Sequence, residues 1–249
     1  MNPKNPNEIE IMRAGGKMLA RILNSLCKQV APGVKPTDIS KMAKEQIKKA
    51  GMQPVVLGYE GFPDVICISV NDEVVHGIPK GNAFKNGDVV KLDLTLGYKS
   101  MVVDSALTVI AGENTNADVK RLIAGTKKSL DAGISAIKGS GTRVGDIGSA
   151  VQKVLDQQKL GIIRDLVGHG VGYDIHEAPN VPNYGNAGSG PVLSAGMTIA
   201  IEPMATLGDW QIKMAKDGWT IATRDGSLGA HFEHTVLITQ DGVEILTIE

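Results

Sequence analysis

The feature that most constrains this chain is an internal repeat. Pro36-Thr37-Asp38-Ile39-Ser40 and Val144-Gly145-Asp146-Ile147-Gly148 each open a segment of helical periodicity. Gly87-Asp88-Val89-Val90-Lys91-Leu92-Asp93 resembles Gly196-Met197-Thr198-Ile199-Ala200-Ile201-Glu202, and both run from a turn glycine to a carboxylate. The offsets are nearly equal, 108 residues from Asp38 to Asp146 and 109 from Asp93 to Glu202. His76-Gly77-Ile78-Pro79 against His176-Glu177-Ala178-Pro179 is a weaker echo. Helix-plus-strand sequences can match by chance, but chance does not hold carboxylates at one offset. The expectation is one catalytic domain over 1–249, built from two pseudo-symmetric halves of approximately 1–112 and 113–249. Ligands would converge at their junction.

Periodicity supplies the elements. Helices are expected at Ile9–Val30, with Asn7 as N-cap, and at Thr37–Lys49, Ala117–Ile137 and Val144–Gln158. Strands are expected at Val65–Val70, Val89–Leu96, Val102–Ile110, Met197–Ile201 and Phe232–Ile238. Two helices then strands, twice over, is an α+β order. The 249 residues carry 42% hydrophobic side chains and a net charge of −1, which gives no general affinity for nucleic acid or anionic membranes. Cys27 and Cys67 lack CxxC spacing, which excludes a cysteine zinc site and argues against a disulfide framework. The polar opening with Pro3 and Pro6 is no signal peptide, and no apolar run approaches the ~20 residues that span a bilayer. A reduced, cytoplasmic, soluble protein is expected.

The chemistry begins with Asp93 and Asp104. Each sits in an otherwise apolar strand, and Gly97-Tyr98-Lys99-Ser100 reads as the turn between them. A symmetric hairpin closed there would place Asp93 directly opposite Asp104, where like charges repel. Two readings stay open for this pair: a shared proton or slipped register, and a divalent cation that reverses the repulsion. Gly168-His169-Gly170-Val171-Gly172-Tyr173-Asp174-Ile175-His176 brings two imidazoles into one short segment, its glycines permitting tight turns. Glu202 ends an apolar strand, and alternation puts His231, Glu233 and Thr235 on one strand face. Either glutamate alone could be a polar strand end. Two Asp, two Glu and one or two His together suit a pair of Mn, Fe, Co or Zn ions rather than calcium.

These motifs resemble the type I methionine aminopeptidases, the family with the pita-bread fold, along nearly the whole chain. The resemblance rests on Leu92-Asp93-Leu94-Thr95 with Asp104 eleven residues on, on Gly168-His169-Gly170-Val171-Gly172, on Gly196 to Met204, and on Phe232-Glu233-His234-Thr235. It implies an antiparallel sheet covered by helices and two divalent metal ions per chain (cobalt, manganese, iron or zinc). The implied ligands are Asp93, Asp104, His169, Glu202 and Glu233, with Asp104 and Glu233 bridging. Catalytic roles fall to Glu202 as proton shuttle, His176 as oxyanion donor, and His76 on the substrate backbone or leaving amine. Tyr59, Phe62, Cys67 and Trp219 match the methionine pocket, though such residues also serve as ordinary core. The zinc-binding extension of eukaryotic type I members and the long type II insertion are missing, so the bacterial-like form fits best.

The resemblance implies removal of the N-terminal methionine from nascent proteins and peptides with a small second residue. The ribosome follows as a partner from that substrate class, although no basic patch announces it. A monomer is the default, with no specific nucleic acid and no membrane partner. Five positions depart from the family pattern: Val56, Val75, Val103, Ile175 and His231. The first two and Ile175 bear on the methionine pocket, Val103 on the hairpin, and His231 on Glu233 beside it. A prolidase or aminopeptidase P would carry a preceding domain for which Met1 to Lys35 leaves no space. A non-enzymatic relative would have lost metal ligands.

Overall fold

The computed structural model describes residues 2–249. Four helices, α1 (Pro6–Cys27), α2 (Pro36–Ala50), α3 (Ala117–Ser135) and α4 (Val144–Gln157), cover a curled antiparallel sheet. The strands in chain order are β1 (Gln53–Pro54), β2 (Cys67–Val70), β3 (Glu73–Val75), β4 (Val89–Tyr98), β5 (Met101–Ile110), β6 (Gly161–Ile162), β7 (Gly168–Gly170) and β8 (Glu177–Val181). They continue with β9 (Thr198–Ile201), β10 (Met204–Thr206), β11 (Ile212–Met214), β12 (Ile221–Thr223), β13 (Gly229–His231), β14 (Glu233–Ile238) and β15 (Val243–Ile245). The main sheet runs β1-β4-β5-β14-β9-β7-β8, with β2 on β4 and β15 on β14. Two three-stranded sheets, β13-β10-β6 and β11-β12-β3, flank it. The α+β order read from periodicity is the order found. No helix among the described residues is long and apolar enough to cross a membrane.

Helix α1 runs Pro6–Cys27, starting three residues before the expected Ile9 and ending three before the expected Val30. Asn5, not Asn7, is the N-cap: its side chain accepts from Glu8 N at 3.0 Å, and Glu8 Oε2 accepts from Asn5 N at 2.8 Å. This reciprocal capping box satisfies two otherwise orphaned donors, and Pro6 in the first turn has no N–H to lose. Met12, Leu19, Ile22, Leu23 and Leu26 form its buried face, and burying each such side chain stabilises by about 1.5–3 kcal/mol. They join Leu92, Leu94, Leu96, Val103 and the α2 residues Ile39, Ala43 and Ile47 in one core. A second core gathers Leu122, Leu130, Ile147, Val151 and Leu155 from α3 and α4 with Ile199, Ile201, Val236 and Ile238. Leu237 and Leu246, from the end of the chain, belong to the first core.

The expected hairpin register is corrected by two residues. β4 and β5 pair to their very ends, Tyr98 opposite Met101, so only Lys99 and Ser100 turn, with Lys99 left-handed at φ 52°. Gly97 stays in the ladder because β1 adds a third strand there, Gln53 opposite Gly97. Asp93 therefore faces Ala106, and Asp104 faces Thr95. The two aspartates share one sheet face as diagonal neighbours rather than as a direct pair. Val103, opposite Leu96, is buried against α1 and does not tighten the hairpin.

Close approach of α1 to the chain end depends on Gly16, where a Cβ would overlap the backbone carbonyl of Leu246. Gly16→Ala is expected to cost roughly 1–3 kcal/mol, since backbone cannot swing aside as a side chain can. Equilibrium denaturation measures it; a change within ±0.5 kcal/mol would contradict this packing.

Candidate metal centre

Five adjacent strands carry the site. Asp93 lies on β4, Asp104 on β5, Glu233 at the start of β14, Glu202 just past β9, and His169 in the middle of β7. Ala106 stands opposite Asp93 on one side and opposite Glu233 on the other, so a methyl group separates two carboxylates across three strands. Gly168 and Gly170 are glycines for a reason other than turning. Cβ atoms there would overlap the carbonyls of Ala200 and Ala178, so their absence lets β7 press between β9 and β8. The segment expected to be a glycine loop is thus a short strand.

One cavity of about 240 Å³ is lined by Asp93, Asp104, His169, Glu202 and Glu233 together with His76, His176, Tyr59, Phe62, Cys67 and Trp219. Each expected ligand, catalytic group and methionine-pocket residue borders it, whereas His231 does not. Asp104, His169 and Glu233 each offer a ligand atom within 4.8 Å of the others. His169 Nδ1 lies 2.9 Å from Gly170 O, and a carbonyl can only accept, so the neutral ring holds its proton on Nδ1. Its Nε2 lone pair is left facing the cluster, 3.5 Å from Glu202 Oε1. A buried Glu233 oxygen and both ring nitrogens of buried His231 have no hydrogen-bond partner. His231 Nε2 sits 3.5 Å from the other Glu202 oxygen.

Several contributors were not singled out by sequence reasoning. Thr95 Oγ1 donates to Asp104 Oδ1 at 2.9 Å. Thr235 Oγ1 accepts from Asp104 N at 2.9 Å and donates to Asp104 O at 2.8 Å, locking β5 to β14 at that residue. Both are threonines in apolar strands, a pattern that reads simply as β propensity. Glu60, at φ 47°, also borders the cavity. Of the departures, Val56 and Ile175 line the cavity beside Phe62 and Cys67. Val75 does not. It packs with Val74, Ile163, Met204 and Ile221 and borders a second groove of about 550 Å³. That groove meets the cavity at His76, His169, His176 and Glu202.

The electrostatics point to a cation. Among the described residues the cavity lining contains no lysine or arginine. Burial, and then their neighbours' charges, raise the pKa values of Asp93 and Glu233 well above the ordinary carboxylate range. Burial also raises Asp104, against the lowering effects of His169 and Thr95, and raises Glu202. Burial lowers His76, His176 and His231 to about 4, so these rings are neutral near pH 7. Orphaned buried acceptors, an oriented imidazole and crowded carboxylates form an oxygen- and nitrogen-donor set suited to divalent transition metals.

A buried acid-and-imidazole centre on a curled antiparallel sheet defines a metal-dependent hydrolase when joined to the matches this chain makes. The profile of metallopeptidase family M24 covers residues 10–240, and the chain belongs to that family. Methionine aminopeptidase from Clostridium perfringens is 42% identical over 245 residues, 98% of each chain. The crystal structure of methionine aminopeptidase from Thermotoga maritima superposes with a TM-score of 0.97 at 44% identity, covering 100% of both chains. Prolidase from Pyrococcus furiosus, at 22% identity and a TM-score of 0.80 over 65% of its length, shares the fold alone. The fold is the pita-bread fold, and the resemblance to bacterial-like type I methionine aminopeptidases holds.

Two expectations follow. The raised carboxyl pKa values stabilise the metal-free fold fully below the unfolded carboxylate range, and that contribution is lost as pH rises through the raised folded values. The lowered histidines act oppositely, losing their contribution as pH falls from 6.5 toward about 4. A cation replaces the missing protons, so the rise in Tm produced by saturating manganese should grow between about pH 6.5 and 8.5; a flat or shrinking increment would contradict a carboxylate-held cation. His231→Gln should weaken divalent-metal affinity by roughly tenfold by calorimetry, since this ring borders Glu202; unchanged affinity and turnover would remove that role.

Proposed function

We propose that this chain removes the N-terminal methionine from nascent proteins and peptides, with two divalent ions held by Asp93, Asp104, His169, Glu202 and Glu233. The single observation that carries the reading is the cavity itself. Its acid and imidazole wall adjoins an apolar part formed by Phe62, Cys67, Ile175 and Trp219, with Cys67 paired directly across from Asp93. Phe62 and Trp219 meet edge to face with ring centroids 5.3 Å apart. An unbranched thioether packs well against rings and sulfur, and about 240 Å³ suits one such side chain. Manganese, iron, cobalt and zinc all match the donors. Asp104, His169 and Glu233 would hold an ion together, since each offers a ligand atom within 4.8 Å of the others.

Bound there, divalent ions supply positive charge that lowers the pKa of water and polarises a peptide carbonyl. The protein's own groups do the rest. Glu202 lies 3.5 Å from both the His169 and the His231 rings, where its carboxylate can take a proton from attacking water and return it to the leaving amine. His176 Nδ1 is 3.2 Å from the Tyr59 hydroxyl. With Tyr59 donating, the neutral ring carries its proton on Nε2, ready to donate to the developing oxyanion. His76 holds a left-handed backbone at φ 56°, a conformation non-glycine residues adopt only where their surroundings enforce it. Its neutral ring is placed to bond the substrate backbone or leaving amine.

The second groove, reached past His76 and His176, takes the rest of the polypeptide, so the residue after methionine passes between the histidines and must be small. The domain acts as one catalytic unit with its halves meeting at this centre. It works in the cytoplasm as a monomer on chains emerging from the ribosome.

The test is cleavage of Met-Ala-Ser and of Gly-Pro by metal-free protein titrated with manganese, iron, cobalt and zinc. Release of methionine that depends on added metal, with Gly-Pro untouched, is the expected result; the reverse preference, or metal-independent turnover, contradicts the reading. His176→Ala should cut kcat by at least about tenfold, ~1.4 kcal/mol, with bound metal unchanged. A smaller loss would deny His176 its donor role.

A further inference from the structure

Lys4, just ahead of α1, has a side chain only 2% exposed. An ammonium is almost never buried without a partner. Here Nζ reaches Glu177 Oε2 at 2.9 Å and lies over the Tyr173 ring, 4.4 Å from its centroid. The Lys4 backbone N donates to Gly196 O at 2.7 Å, tying the arm to the segment that leads into β9 and Glu202. The fit is tight: a Cβ on Gly172, itself at φ 145°, would overlap Lys4 Cε.

Glu177 uses its second oxygen on its own loop, accepting from Tyr173 N at 2.6 Å and Asp174 N at 3.3 Å. The Tyr173 hydroxyl donates to Glu8 Oε2 at 2.9 Å, the same carboxylate that caps α1. Gly172 O accepts from Val102 N at 2.7 Å, so the hairpin end holds the loop from a third side. Within this frame sits His176, directly before Glu177, its ring edge-on to His169 with centroids 4.5 Å apart.

We infer that the N-terminal arm is a strap that positions His176, and that the buried Lys4–Glu177 ion pair is its clasp. A buried ion pair is often no better for stability than apolar side chains of equal volume. What it supplies here is direction, since Glu177 can satisfy Lys4 and two loop N–H groups only when the loop lies in one place. Lys4 touches neither the cavity nor the metal cluster, so it is a positioning residue. The inference rests on the reading of His176 as the group that meets the substrate carbonyl.

The experiment uses the full chain loaded with manganese and four variants: Lys4→Met, Glu177→Gln, the two combined, and Lys4→Arg. Metal content, Tm, kcat and KM on Met-Ala-Ser, and amide hydrogen exchange across residues 173–177 are measured for each. Each charge-removing single variant should lower kcat about tenfold with KM within about twofold and metal content unchanged. The combined variant should be no worse than either single one, because both break the same clasp. Lys4→Arg should recover most of the turnover, and exchange at Tyr173 and Asp174 should quicken at least about tenfold in the slow variants. Turnover within twofold of wild type in Lys4→Met, additive losses in the combined variant, or losses that track Tm and metal content would overturn the strap. So would unchanged exchange, which decides the matter without reference to activity. Quickened exchange in the variants, with a wild-type protein that does not cleave Met-Ala-Ser, would keep the strap and remove the functional reading. Should Lys4→Met fail to fold with Glu177 left unpaired, the combined variant, which removes that lone charge, provides the same readouts.

Discussion

Asp93, Asp104, Glu202 and Glu233 are drawn out of water into a cavity whose lining, among the described residues, offers no lysine or arginine, and the architecture is arranged around tolerating that. An isolated buried carboxylate is expensive, and several together are worse. Metal-free, burial raises the carboxyl pKa values and lowers those of His76, His176 and His231, so each shift disfavours the charged form. The strands that hold them are rigid: hydroxyls of Thr95 and Thr235 fasten Asp104 from two directions, and Ala106 spaces Asp93 from Glu233 with the smallest side chain that keeps a strand a strand. Such a centre is preorganised for positive charge before any ion arrives, which is how a catalytic site avoids reorganisation during reaction.

The helices matter to this centre indirectly. α1 and α2 cover the β4–β5 side, α3 and α4 cover the β9–β14 side, and the cluster lies where the strands of both sides meet. Carboxylates projecting from adjacent strands converge without any loop having to place them. The groups that come from outside regular strands are His76, His176 and Glu202, those given the moving-proton and substrate-contacting roles. On the proposed reading, metal holding falls mainly to the paired strands and substrate contact to segments outside them.

Much of this was legible in the sequence, for identifiable reasons. Helices of 14 residues or more betray themselves through many turns of periodicity, and their boundaries differ from the expected ones by three residues or fewer, as at both ends of α1. Asp93, Asp104, Glu202 and Glu233 stood out because a charge in an apolar strand is conspicuous. The hairpin register was misread because Gly97 looks like a turn residue, whereas β1, forty residues upstream and two residues long, holds it in the ladder. No local pattern announces a strand that short. Gly168 and Gly170 misled similarly: glycine signals either a bend or a close approach, and only the neighbouring carbonyls of Ala178 and Ala200 tell which. Thr95 and Thr235 were named only as members of motifs, because their significance lies in partners across the sheet, which a linear reading cannot see.

The seating of Leu237 and Leu246 has a consequence for how the molecule comes into being. Both belong to the core otherwise built from residues 12–111, and Leu246 O abuts Gly16 in α1. The amino-terminal half therefore lacks part of its interior until residues 237–246 have been translated. Until those residues close on α1, it carries an unfinished hydrophobic surface through synthesis.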